Sequence, residues 1–219
     1  GFLVIAAVLL VCVFLTIVAI PLFGGSSVGK EQAYHVPGVA KSPRAAGVDE
    51  YMSIAWVLGD DWAVRLVRPD GGELLTTTEP FADATPSAMS IDVERPDAVF
   101  GYPDGTIRQG QFRFVSQNLS GDAIPAHART LAVGERFSDG GRIFEVVAEG
   151  QVRVQRFIVE LDEPTQAASE AIVLIDEAHV SNGYVIAAFT DSGTLVTKSV
   201  TKRTNLMTGE VTTRLSGAE

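Results

Sequence analysis

Two hydrophobic patterns divide this chain. From Phe2 to Phe23 it reads FLVIAAVLLVCVFLTIVAIPLF, apolar on every side and without a charged residue. Beyond Tyr51, apolar residues alternate with polar ones in short runs broken by Asp-Gly turns. The first pattern predicts a helix. About 20 apolar residues at 1.5 Å each cross the roughly 30 Å hydrocarbon core of a bilayer, where every backbone N–H and C=O needs a partner inside the segment. Pro21, near the end of the run, suits a helix stop. Residues 2–23 therefore read as one N-terminal transmembrane helix. A cleaved secretory signal fits less well, because its apolar core runs about 7 to 15 residues and ends at small side chains. Here Pro21-Leu22-Phe23 is bulky at that place. Lys30, Lys41 and Arg44 lie on one flank only, so basic residues give no orientation.

The second pattern predicts strands. Trp62 to Val67, the turn Arg68-Pro-Asp-Gly-Gly72 and Glu73 to Thr78 read as strand, turn, strand. The same order returns at Ala98 to Tyr102, Pro103-Asp-Gly105 and Thr106 to Phe114, again around Ser138 to Gly141, and again around Thr190 to Gly193. Asp-Gly between alternating β-branched and aromatic residues is a hairpin signal, because Gly accepts the positive φ of a tight turn. Val152 and Val154 alternate with Arg153 and Gln155, which implies one buried and one wet face. The turns at Asp70, Asp104 and Asp139 are 34 and 35 residues apart, and Asp191 follows after 52. Propeller blades recur at about 40 to 50 residues. The fold class is thus an all-β extramembrane domain, a partial β-propeller-like arrangement or an irregular β-sandwich, after one N-terminal transmembrane helix. Residues 24–50, rich in Gly, Ser, Pro and Ala, read as a linker, and 51–219 as a β-rich domain. Thr165 to Ile175 is the one stretch whose pattern leaves helix and strand open.

Charge narrows the partners. The net charge is −10, and every charged residue lies beyond Ser27. Such a domain repels nucleic acid and anionic lipid surfaces, and it is not in itself an attractive place for phosphate. The one cysteine, Cys12, sits in the apolar run, which removes disulfides and Cys-based zinc sites from the rest.

Several motifs imitate chemistry. Gly24 to Lys30 has the G-x-x-x-x-G-K spacing of a phosphate loop, and Ile172 to His179 looks like an apolar strand followed by the Asp-Glu-Ala-His box of an ATPase. A phosphate loop, however, follows a strand, opens a helix and carries Ser or Thr next for Mg²⁺. Here Glu31 follows, the apolar run precedes, and Val36-Pro-Gly38 breaks any helix. The acidic box then reads as a strand end with an exposed acidic turn. His35, His127 and His179 lie far apart without the paired spacing of metal ligands. Asp60-Asp61 before Trp62 reads as a solvated turn, and no G-x-S-x-G elbow is present. Asn118-Leu-Ser120 fits a glycosylation sequon without further support. Arg153, Arg156, Lys202 and Arg203 are the nearest approach to an anion-binding set, but alternation along strands makes them a wet face. No catalytic, cofactor-binding or metal-ligating residue is assigned, and the reading is non-enzymatic.

The apolar run ending Ile20-Pro-Leu-Phe23, the hairpin Ala98-Val-Phe-Gly-Tyr-Pro-Asp-Gly-Thr-Ile-Arg-Gln-Gly110 and the closing Asn205-Leu-Met-Thr-Gly-Glu210 resemble large bacterial phosphate-type ABC transporter permeases, which carry an extra periplasmic region after their first membrane helix. The resemblance implies an inner-membrane subunit of a phosphate importer. This chain would hold its first helix and the beginning of the inserted periplasmic β-domain. The implied partners are membrane lipid, an ABC ATPase subunit, a second permease subunit and a periplasmic binding protein. The later spans and the coupling helix of such a permease are not in this sequence, and no residue of the transport pathway carries over. The alternative reading is a single-span anchored, β-propeller-like envelope scaffold or assembly factor.

Overall fold

The structure, a computed structural model, describes residues 1–20, 33–39, 42–92, 95–181, 183–204 and 211–218; of Leu3 and of the residues after Thr201 it describes the backbone alone. The chain divides into two compact units, Gly1–Tyr34 and His35–Glu219.

The first unit holds α1, Phe2–Ala19. Its large side chains, Phe2, Leu10 and Phe14 among them, are exposed on all sides, as a helix without a polar face requires. Thr16 hides its hydroxyl by donating to the Cys12 carbonyl at 2.8 Å, one turn back. α1 is shorter than the apolar run that contains it. Its 18 residues span about 27 Å, slightly less than a hydrocarbon core. Among the described residues, no helix is long and apolar enough to cross a membrane. Pro21 to Phe23, the rest of the run, lie outside the described residues, as does Gly24 to Lys30.

The described residues of the second unit form three antiparallel sheets. The first is a four-stranded meander of β1 (Ala45–Val48), β2 (Ala55–Leu58), β3 (Val64–Val67) and β4 (Leu74–Thr78). β1 falls within residues 24–50, so the linker ends earlier than the sequence pattern suggests. Ala-Ala-Gly-Val carries no alternation to betray a strand. It is small because the Trp56 indole of β2 lies over it: a Cβ on Gly47 would stand 2.6 Å from Trp56 Nε1.

The middle sheet has seven strands in the order β5-β6-β7-β10-β9-β8, with β11 pairing with the first residues of β7, which β10 does not reach. They are β5 (Ala88–Ile91), β6 (Asp97–Gly101), β7 (Thr106–Ser120), β8 (Arg136–Asp139), β9 (Arg142–Ala148), β10 (Gln151–Leu161) and β11 (Thr165–Gln166). The last sheet is a second four-stranded meander, β12 (Ile172–Val180), β13 (Gly183–Thr190), β14 (Leu195–Thr204) and β15 (Val211–Ala218). The Thr165 to Ile175 stretch is thus extended throughout, as β11 and the start of β12.

Successive meanders packed face to face make the domain partially β-propeller-like. The Asp turns are all hairpins, yet their spacing does not count sheets. Asp104 joins β6 to β7, while Asp139 joins β8 to β9 in the same sheet. The β8–β9 hairpin and two short 3-10 turns, Gly121–Ala123 and Ala126–Thr130, interrupt a meander that β10 resumes.

Three cores follow from this layout. Trp56, Leu58, Trp62, Val64 and Leu66 of the first sheet meet Phe100 and Phe112 of the middle one. Val99 and Ile107 meet Ile172, Ile175 and Ile186 of the last sheet. β6 is buried on both faces because it lies between the two packing partners, which explains its unbroken apolar run Ala98-Val-Phe. Phe144, Val146, Val152 and Ile124 form the third core under the 3-10 turns.

Candidate functional site

A cleft of about 590 Å³ lies beside a packed core between the first and middle sheets. β1 and the β1–β2 loop form one wall, and β5 to β7 form the other. Trp56, Phe112 and Phe114 give it an aromatic floor, and Glu50, Asp92 and Arg95 stand on its rim. The floor is rigid. The Trp56 ring stacks on Phe157 at 5.4 Å and tilts against Phe112 at 5.3 Å.

The loop beside the cleft is fixed by Asp49. Its buried carboxylate accepts from the backbone N–H groups of Tyr51 (3.2 Å), Ser53 (2.6 Å) and Ile54 (2.6 Å), and from the Ser53 hydroxyl (2.8 Å). The same hydroxyl contacts the Gln155 side-chain oxygen of β10. Arg153, two residues before Gln155 and on the same face of β10, also meets this loop, its guanidinium 3.6 Å from the Tyr51 ring centre. It also donates to Glu145 at 2.5 Å, which takes a second arginine, Arg136, at 3.2 Å. Burial pushes the Glu145 carboxyl up, but the two arginines outweigh it and hold the group below its ordinary range. These charges join strands, with Arg136 on β8, Glu145 on β9 and Arg153 on β10.

The other residues singled out by the sequence are scattered. Asp60 and Asp61 sit in the turn between β2 and β3. Asp61 grips Arg65 with two hydrogen bonds, at 2.6 and 3.0 Å. The guanidinium is 10% exposed and the carboxylate 48%. Hydrogen bonding from Arg65 pulls the Asp61 pKa down to about 2, from a model-peptide 3.8. Because the folded value is the lower one, the pair's contribution to stability is present above pH 3.8 and is lost as pH falls towards 2. With Asp61 half exposed, screening limits that contribution to about 1 kcal/mol. Asp61→Asn should therefore be less stable than the parent at pH 7 in urea titrations. The difference between the two proteins should narrow steadily as pH falls from 4 to 2.

The Asp-Glu-Ala-His box is not a strand end. It lies inside β12, where alternation sends Asp176 to one side and Glu177 and His179 to the other. Asp176 accepts from Ser90 Oγ of β5 at 2.7 Å, tying the last sheet to the middle one. His179 stands 3.7 Å from Asp97 and 5.9 Å from the Tyr184 ring. Tyr184 bonds the Gln109 side chain, and burial together with Glu177, Asp162 and Asp97 pushes its hydroxyl far up. This is a polar seam between sheets.

His35 is exposed outside any helix or strand, and Asn118 and Ser120 are exposed at the end of β7. His127 lies in the second 3-10 turn with its ring edge-on to Phe137 at 4.3 Å. Lys202 and Arg203 are described only as backbone of β14. Arg153 and Arg156, three residues apart on β10, point to opposite faces and form no common set. Among the described residues, no group of three His, Cys, Asp or Glu side chains is placed to hold a metal ion. Sequence reasoning missed Trp56, Arg95 and Asp49. An Asp followed four residues later by Ser, between two short apolar runs, was the available signal for the loop.

No family model matches the chain, and no curated protein matches it. Among solved structures it is similar to the WD40 domain of SCAP from fission yeast, at 12% identity and a TM-score of 0.23, over 88% of this chain and 48% of that one. The chain spans about half the length of that domain. A likeness this weak carries no argument, and the description of the fold above rests on the sheets themselves.

Proposed function

We propose that the chain belongs to the membrane subunit of an ABC-type phosphate importer. It holds the first helix and the beginning of an inserted periplasmic β-domain. The observation that carries the reading is α1, whose apolar side chains are exposed in every direction. Water is a poor solvent for such a cylinder, and a bilayer is a good one, so the apolar run through Phe23 anchors the chain in the bacterial inner membrane. The β-domain then works in the periplasm as a recognition surface. Glu145 and its two arginines pair strands, and the aromatic cleft beside β1 is open to a periplasmic binding protein or to a second permease subunit. ATP is hydrolysed by a separate ABC subunit, and nucleic acid is repelled by the −10 net charge.

A domain that continues beyond these three sheets is supported by the outer face of the last one. Leu174, Phe189 and Leu195 are paired across β12, β13 and β14 and are 63%, 40% and 54% exposed.

The test is affinity purification of the tagged protein from its native membranes in mild detergent. An ATP-hydrolysing subunit and a second multi-span subunit are expected to co-purify. Recovery from the membrane without either would contradict the importer and leave an anchored envelope scaffold, a reading favoured by the three self-contained cores.

A further inference from the structure

Among the described residues, two arginines of the acidic domain stand side by side with a single carboxylate near them. Arg142 of β9 and Arg156 of β10 are direct cross-strand partners in the antiparallel pair. Opposed residues have Cβ atoms about 4.5–5.5 Å apart, and like charges so placed repel. Arg142 is partly satisfied, donating to Asp139 at 3.0 Å and standing 5.4 Å from the Phe144 ring. Arg156 is exposed and makes no hydrogen bond or ion pair with any described residue. Glu79, which borders an adjoining cleft with Arg156, forms no ion pair with it.

Both arginines open into a groove of about 430 Å³ between the strands and the second 3-10 turn. Phe144 and Val154 form its floor, with Gln117 at one side. His127 faces the arginines across it, its ring 6.3 Å from the Phe144 ring that Arg142 also approaches. Asp139 is the only carboxylate among the lining residues, so two guanidinium groups face one acid. Guanidinium forks suit oxygens held on one compact centre, and an apolar floor excludes competing water.

We propose that this groove binds a small dissolved oxyanion of the phosphate or sulfate type, held between Arg142 and Arg156. The −10 net charge does not forbid it. At physiological ionic strength the Debye length is about 8 Å, so distant carboxylates are screened while the two arginines are not. The same net charge keeps an anionic lipid surface away, which leaves a free anion as the ligand. The site stands on its own geometry and does not depend on the transporter reading.

The test is titration of the full chain in neutral detergent with inorganic phosphate, followed by calorimetry and by the thermal midpoint. Saturable binding with a Kd of about 1 mM or tighter is expected, together with a midpoint that rises with phosphate. Arg156→Gln and Arg142→Gln should each weaken binding about tenfold or more. Arg113→Gln, which removes a cation paired with Glu160 elsewhere on the sheet, should leave the affinity unchanged. Without phosphate, Arg156→Gln should melt no lower than the parent, since it removes a like-charge pair; a purely structural arginine would lower the midpoint. No saturable heat up to about 10 mM phosphate, or a Kd unmoved by both substitutions, overturns the proposal.

Discussion

Gly105→Ala is expected to loosen the last sheet from the middle one by about 4 kcal/mol. Gly105 closes the β6–β7 turn at φ +79°, where a Cβ costs about 1–2 kcal/mol. The space is also filled by backbone. The new Cβ would overlap the Ala168 carbonyl oxygen and stand 2.7 Å from that of Glu170. Those atoms belong to the segment that leads into β12. It is held there by the N–H groups of Ala167 and Ala168, both donating to the Gly105 carbonyl at 3.0 Å. Overpacking adds about 1–3 kcal/mol, and each strained hydrogen bond about 1 kcal/mol. Amides of β12 and β13 should then exchange with solvent roughly a thousandfold faster. Amides of β2 and β3 should change less, because of the turn residues only Tyr102 belongs to the aromatic core. Gly71→Ala, with open space around it, is the control and should stay within about 0.5 kcal/mol of the parent. Equal protection of β12 in both variants would show that the turn does not hold the last sheet.

Trp62→Ala should cost about 3–5 kcal/mol. Trp62 is 6% exposed and packs against Phe81 at 5.5 Å and Phe100 at 6.4 Å. The Arg44 guanidinium covers the ring at 4.0 Å. Its backbone nevertheless sits at φ +62°, a region that L side chains avoid. The turn from Gly59 to Ala63 needs a left-handed residue to bring β3 back onto β2, and Gly59 and Ala63 close it with a 3.0 Å hydrogen bond. The aromatic contacts hold the strained conformation. Removing the ring while keeping a Cβ leaves the strain without its compensation. Trp62→Gly, the smaller residue, should accordingly be no less stable than Trp62→Ala and more stable by about 0.5 kcal/mol. Urea unfolding followed by the remaining tryptophan, Trp56, reads both. A glycine variant clearly weaker than the alanine variant would contradict the strain.

The hairpins were legible because alternation and Asp-Gly turns are local. Arg68 to Glu73, Tyr102 to Thr106 and Thr190 to Thr194 each form the turn that their residues announce. The sheet count was not legible, since an added hairpin at Asp139 imitates the beat of a repeat while belonging to the middle sheet. β1 was missed because its residues are chosen for smallness under Trp56, a constraint from another strand. The Asp-Glu-Ala-His box was read as a strand end because its residues are polar, whereas pairing with β13 carries the strand on through it. Arg156 was grouped with Arg153 by proximity in the chain, whereas its partner across the sheet is Arg142, fourteen residues earlier. Pairing across strands decides which charges meet, and a linear sequence does not print it.

The anchored β-domain is tested most directly by the chain's one thiol. Cys12 lies in the middle of α1, exposed on its surface. In intact membranes a bilayer around α1 shields that sulfur and holds it as the unreactive thiol. A membrane-impermeant maleimide should therefore fail to label the protein in membranes from either side, and should label it fully once detergent dissolves them. Rapid labelling in intact membranes, or recovery of the chain in the aqueous fraction after alkaline extraction, would contradict the anchor and with it the account built upon it.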